Sequence, residues 1–262
     1  MNNFLKNLRA TLKLAAFLLI TFILIIPQFI CILVKLKNVH VIPVLYHRLL
    51  CCLLGIKIQI EGHKNDEPGT IYVSNHLSYL DIIVLSTQLK ASFIAKADVE
   101  KWPLFGVLAK LSRTIFIERT KAGLKSGSAA IEKRLKKGDQ LILFPEGTSN
   151  NGREVLPFKS GFFEVLLLQA DKNFSVQPLT IQLTSINGDD PRTQEDFDYY
   201  AWYGDMTLVP HLWRFFTLKS CEISISFHDR VQITTDITRK DLAKKCEEAV
   251  SIPFKTLYDL TD

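Results

Sequence analysis

The sequence predicts an α/β fold, a mostly parallel sheet flanked by helices, preceded by an N-terminal membrane-associated helical segment. Three observations predict it. Short β-branched or apolar runs take turns with longer helical patterns after Ile56, which is the signature of an α/β layer structure. Leu14 to Val34 carries no charged residue, while Lys6, Arg9 and Lys13 precede it and Lys35 and Lys37 follow. Lastly, 262 residues with 47% hydrophobic and 23% charged content suit one substantial domain and are too apolar for a disordered chain.

The apolar run is long enough for a bilayer and lacks the small-residue cleavage site of a signal peptide, so it is expected to be retained. Pro27 and Gln28 interrupt it and predict a kink at mid-length. Val41 to Ile56 is broken by Pro43, His47 and Arg48 and reads as an interfacial helix. The anchor is therefore placed at residues 1–56, with helices at 14–34 and 41–56, and the catalytic domain at residues 57–262. The anchor either spans the membrane once or forms a hairpin sunk in one leaflet.

Within the domain, strands are expected at Lys57 to Ile60, Thr70 to Val73, Ser92 to Ala95, Thr114 to Ile117, Leu141 to Phe144 and Ser175 to Ile181, with a late pair at Ile223 to Phe227 and Val231 to Ile233. Helices are expected at Asp81 to Leu89, Pro103 to Leu111, Ala122 to Lys137, Phe158 to Gln169 and from Arg239 onward.

Charge and cysteine content narrow the function. Thirty-two basic against 27 acidic residues give a net charge of +5. That is modest for nucleic-acid binding, which is not expected, and suits an anionic membrane surface or substrate. Five cysteines without C-x-x-C spacing make neither a disulfide framework nor a zinc site, and they fit a reduced, cytosolic catalytic domain. The acidic stretch Asp189, Asp190, Glu195, Asp196 and Asp198 lacks the ordered ligand spacing and glycine of a calcium loop, so no metal is expected.

Three places carry chemistry. After the strand ending at Val73 comes S-N-H-L-S-Y-L-D. On one continuous helix His76 and Asp81 would point about 140° apart. Ser78 with Asp81 is a capping pattern that starts the helix at Ser78 and leaves His76 in the preceding loop, so the imidazole can fold back onto the carboxylate. Asp81 would then fix the tautomer and leave the other ring nitrogen as a general base toward a substrate hydroxyl. The alternative is a helix cap beside a surface histidine. Second, Lys96 and Arg119 follow predicted strands, where α/β sheets bind ligands, and suit an anionic group such as a phosphate monoester; a solvated Glu118–Arg119 pair is the alternative. Third, F-P-E-G-T-S-N-N-G at Phe144 to Gly152 places Glu146, Gly147 and Thr148 in a turn whose amides can face an anion. Ser149 stands in G-x-S-x-x-G, so no nucleophile elbow is present and a membrane lipid hydrolase is the weaker rival.

Together, His76 with Asp81, I-F-I-E-R ending at Arg119, F-P-E-G-T at Phe144 to Thr148 and V-Q-P-L at Val176 to Leu179 resemble the four ordered motifs of the glycerolipid acyltransferase family, particularly the 1-acylglycerol-3-phosphate acyltransferases of the bacterial PlsC type. The resemblance covers roughly Gly69 to Ile181. It implies His76 as catalytic base assisted by Asp81, and Lys96, Arg119, Glu146, Gly147 and Thr148 as substrate-binding residues. It also implies an acyl-CoA or acyl carrier protein donor, no cofactor, and a lysophospholipid acceptor in the membrane, with phosphatidic acid as product on the cytosolic face of a bacterial inner membrane. The family's third motif continues with arginine where this chain has Ser149. The stretch Tyr200 to Trp213 resembles a bacterial subgroup that includes lyso-ornithine lipid acyltransferases, which makes acylation of lyso-ornithine lipid or another lysolipid the alternative function; packing against the sheet or lipid is the other reading of that stretch.

Overall fold

A computed structural model of the protein describes residues 3–36, 39–102, 104–118, 120–167, 174–234 and 236–258. It opens with two helices, α1 (Asn3–Leu33) and α2 (Val41–Leu54). The first is longer than its charge-free run and continues unbroken through Pro27. The second stops just short of Ile56 because Gly55 takes a left-handed conformation, φ 77°, and hands the chain to the first strand. A Cβ at Gly55 would lie 2.3 Å from the Lys219 carbonyl oxygen, so glycine is needed there on two counts.

The domain follows as β1 (Ile56–Glu61), β2 (Thr70–Ser74), α3 (Leu80–Gln88), β3 (Ala91–Lys96), α4 (Phe105–Leu111), β4 (Ile115–Ile117), α5 (Lys121–Leu135), β5 (Gln140–Leu143), α6 (Gly161–Leu167), β6 (Ser175–Ile186), α7 (Gln194–Phe197), α8 (Leu208–Phe216), β7 (Cys221–Phe227) and α9 (Arg239–Tyr258). The strands form a sheet in the order β1-β7-β6-β2-β5-β3-β4. Pairing is parallel except between β6 and β7.

The strands are apolar on both faces because helices cover both. On β2, Ile71 and Val73 join one buried cluster with residues of α5, α6 and α9, while Tyr72 joins the other with residues of α1, α2, α3 and α8. On β5 the same alternation puts Leu141 and Leu143 on one side and Ile142 on the other.

Differences from the sequence expectations have local causes. Val231 does not form a strand pair with β7; it makes a single antiparallel bridge to Val176, because β7 is already flanked by β1 and β6. The helix expected from Phe158 starts at Gly161; before it, the amides of Phe158 and Lys159 tie the chain to the Glu247 carboxylate and the Pro145 carbonyl. Pro103 lies outside the described residues. The acidic stretch contains the short α7, capped reciprocally by Thr193 and Asp196.

The first helix is fastened to the domain by polar groups at helix ends. Lys13 Nζ donates to the carbonyls of Leu54 (2.8 Å) and Leu218 (2.9 Å), Arg9 to that of Thr217 (2.9 Å), and Gln28 Nε2 to those of Val39 (3.2 Å) and Leu111 (2.8 Å). These include the open C-terminal carbonyls of α2, α8 and α4, which lack partners within their own helices. Ala10, Lys13, Phe17, Thr21 and Gln28 make up the buried stripe, at helical spacing. The opposite side exposes Leu12, Leu19, Phe22, Ile26 and Phe29.

Candidate active site

The loop after β2 is held from both sides of the sheet. Asn75, fully buried, donates through Nδ2 to the Ile181 carbonyl (2.9 Å) and accepts the Ile181 amide on Oδ1 (2.8 Å), so its side chain continues the pairing with β6 after the backbone has turned away. On the other flank the His76 amide donates to Glu146 Oε1 (2.9 Å), and the Asn150 amide donates to the His76 carbonyl (3.0 Å). Both links reach the loop after β5, which is adjacent to β2 and parallel to it, so the two loops leave the same edge of the sheet.

His76 lies outside the helix, as the capping pattern predicts, although α3 begins at Leu80 rather than Ser78. Half of the predicted capping box forms: the Asp81 carboxylate accepts the Ser78 amide (3.0 Å), whereas the Ser78 hydroxyl accepts the Leu80 amide (3.3 Å). The same carboxylate oxygen accepts the Leu77 amide (2.7 Å) and meets His76 Nδ1 at 2.8 Å. The other oxygen accepts the hydroxyl of Tyr200 (3.0 Å). Asp81 is 0% exposed and acts as an acceptor on both oxygens, which assigns the proton to Nδ1 of His76. The lone pair is then on Nε2, and the imidazole is 20% exposed. The ring stacks on Phe144, with centroids 4.1 Å apart and planes 16° off parallel. A ring so fixed in tautomer and orientation can take a proton from a hydroxyl brought to Nε2.

Glu146 is 1% exposed. Besides the His76 amide it accepts Asn150 Nδ2 (2.7 Å) and the Leu156 amide (3.3 Å), so both its oxygens are used within the protein. Burial pushes its carboxyl up to about 8, against the pull of these donors and with a further push from the Asp81 charge. Gly147 adopts φ 68° and donates its amide to the Phe144 carbonyl (3.1 Å), while Thr148 is exposed. A Cβ on Gly147 would lie 3.2 Å from Lys159 Nζ, which puts an exposed ammonium over this turn. Lys96 ends β3, half-buried, in register with Ile117 of β4; Arg119 lies outside the described residues. Ser149 directs its hydroxyl to the Trp202 carbonyl.

Beside this polar cluster is an apolar cavity of about 160 Å³ beneath α1 and α2. Phe17, Leu24, Ile83, Phe93, Trp102 and Phe105 are among its walls. Phe93 stacks on Phe144 (5.9 Å), so the cavity wall and the imidazole share one aromatic stack.

Asn75, Asn150, Lys159 and Tyr200 were not among the residues the sequence singled out for roles. Asn75 and Asn150 lie inside or next to recognised motifs, and their amide side chains were the available signal. Tyr200 is 119 residues from its partner, and no local pattern announces it.

Residues 55–182, which contain every one of these loops except the Tyr200 segment, match the family described as Acyltransferase. The chain is 34% identical to a lyso-ornithine lipid O-acyltransferase of Brucella abortus over 93% of each chain. It is 27% identical to a 1-acyl-sn-glycerol-3-phosphate acyltransferase of Neisseria gonorrhoeae over 75% of this chain and 74% of that one. In three dimensions it is similar to the 1-acyl-sn-glycerophosphate acyltransferase PlsC of Thermotoga maritima, with a TM-score of 0.65, 20% identity, and coverage of 97% of this chain and 98% of that one. The motif order, the paired loops at one sheet edge and a relative matched along nearly the whole chain agree, and the chain belongs to the acyltransferase family.

Proposed function

We propose that the protein is a membrane-bound O-acyltransferase that moves an acyl group from acyl-CoA or acyl carrier protein to the hydroxyl of lyso-ornithine lipid. The observation that carries the reading is the His76 imidazole, held through Nδ1 by Asp81 at 2.8 Å next to an apolar cavity. In the proposed step Nε2 removes the acceptor hydroxyl proton as its oxygen attacks the thioester carbonyl. An oxygen–carbon bond forms, the carbon–sulfur bond breaks, and the proton passes through His76 to the departing thiolate. The donor is already activated, so no enzyme nucleophile is required. The cavity would take an acyl chain, at about 0.8 kcal/mol for each methylene buried.

Two observations favour lyso-ornithine lipid over lysophosphatidate. Four relatives of that name match at 28–34% identity over 78–93% of the chain, against 27% over 75% for two bacterial lysophosphatidate enzymes. Where the resembling enzymes carry an arginine, Ser149 uses its hydroxyl on Trp202. Lys96, Lys159 and Arg119 would meet the acceptor's anionic group, and Glu146, Gly147 and Thr148 shape the loop beside it.

Residues 1–56 serve as the anchor for the domain at 57–262. From Ala10 to Gln28, a length of about 27 Å, α1 has one side committed to protein, and that is almost a bilayer core of ~30 Å. This favours a helix pair lying in one leaflet over a single span, with the domain at the cytosolic face of a bacterial inner membrane. Free cysteines suit that reducing side. The test is a competition assay that offers lyso-ornithine lipid and lysophosphatidate together with one labelled acyl-CoA. Preferential labelling of ornithine lipid is expected, and preferential formation of phosphatidic acid would overturn the acceptor assignment.

A further inference from the structure

The segment from Asp198 to Tyr203 lies outside the matched family region, yet it reaches the centre of the site. Tyr200 is 0% exposed, and its hydroxyl donates to Asp81 Oδ1 at 3.0 Å, on the oxygen that His76 does not use. Its ring meets Phe215 of α8 edge-on, with centroids 6.2 Å apart. The backbone on either side is pinned to the two catalytic loops: the Trp202 amide donates to the Leu77 carbonyl (2.9 Å), and the Trp202 carbonyl accepts the Ser149 hydroxyl. The carboxylate is thus held by two backbone amides, one imidazole and one phenol.

We propose that Tyr200 is a positioning residue for the His76–Asp81 pair, fixing the carboxylate's rotation and drawing part of its charge away from the imidazole. A hydroxyl that donates to a carboxylate lowers the charge available to the carboxylate's other partner. Removing it leaves more negative charge facing the protonated ring, which holds its proton to higher pH. The inference rests on the proposed role of His76 as base.

Other groups around the pair are accounted for. Glu146 faces it from the loop after β5, and burial pushes its carboxyl up to about 8. His211 of α8 is bonded to Tyr79 and held low, to about 4, by burial. Around the Tyr200 ring lie the thiols of Cys51 on α2 and Cys221 on β7, and burial pushes Cys221 up to about 12.

The experiment measures acyl transfer to lyso-ornithine lipid by the full chain in mixed micelles, with wild type, Tyr200→Phe and His76→Ala, each at several pH values. Tyr200→Phe is expected to lower kcat about tenfold with KM nearly unchanged, and to move the acidic limb to higher pH. A Tyr200→Phe enzyme with unshifted limb, whether its activity is intact or reduced equally at every pH, overturns the proposal. If Tyr200→Phe does not fold, 3-fluorotyrosine at this position, a stronger donor of nearly the same shape, is expected to move the limb to lower pH; no movement overturns the proposal. Retained activity in His76→Ala instead overturns the reading of the base on which the proposal stands.

Discussion

The polar cluster around His76 and the cavity under α1 and α2 are neighbours that share the Phe93–Phe144–His76 stack, and they are built on opposite principles. In the first, Asp81 has four donors and Glu146 three, so rotation of either carboxylate breaks a bond. In the second, the walls are mainly aliphatic and aromatic side chains contributed by several helices and by β3. Proton transfer is sensitive to sub-ångström position, whereas a hydrocarbon chain is bound by buried area and tolerates sliding. On the proposed function, the comparison teaches that one enzyme can be strict about the reacting atoms and permissive about the chain attached to them.

The largest break in that comparison is His76→Ala, which is expected to lower kcat/KM for acyl transfer by about 10²–10⁴-fold while leaving the thermal unfolding midpoint nearly unchanged. Next comes Lys13→Met. It removes the ammonium that holds the carbonyls of Leu54 and Leu218 and leaves both buried oxygens short of a donor, which is expected to cost about 2 kcal/mol. Faster hydrogen exchange in α1 and the end of α2, with kcat for short-chain donors retained, would show that the anchor's docking and the chemistry are separable.

A third, Ala95→Phe, fills part of the cavity from β3. Longer acyl donors should lose about tenfold in kcat/KM relative to donors two to three methylenes shorter, with His76-dependent chemistry intact. Equal losses for all chain lengths would mean that the cavity does not hold the chain.

The smallest effect concerns Glu146. Its folded carboxyl is raised from 4.5 to about 8 mainly by burial, so its contribution to stability is fully present below about pH 4.5 and is lost as pH rises through 8. Glu146→Gln loses this dependence and sets an amide nitrogen against the donors of His76 or Asn150. The stability gap between wild type and variant is expected to be widest near pH 5 and to narrow toward pH 8.5 in chemical denaturation. A gap that widens with pH would mean that the carboxylate, not the acid, is favoured in the fold.

Much of the site was legible because its signals are local. His76 and Asp81 are five residues apart, and a helix start between them is enough to bring them together. The strands from β1 to β5 lie close to where β-branched runs placed them, since a strand covered on both faces needs such a run. The aromatic stretch after Tyr200 resolved less well: it forms α8 from Leu208 to Phe216 and, before it, an irregular segment lying on the loops after β2 and β5. Composition could announce aromatics there but not which one would face Asp81.

By itself, the sequence determined the alternating α/β order and the apolar N-terminal helix, and it allowed the pairing of His76 with Asp81 that the family resemblance implied, because periodicity and near-neighbour geometry act over a few residues. Only the tertiary structure decided that Tyr200 completes the carboxylate's bonds, that Glu146 clamps the His76 loop, and that α1 lies along the domain with Lys13 and Gln28 capping other helices. Those contacts join residues dozens to hundreds of positions apart. Which distant donor meets which acceptor is set by the packing of helices on the sheet, not by any pattern along the chain.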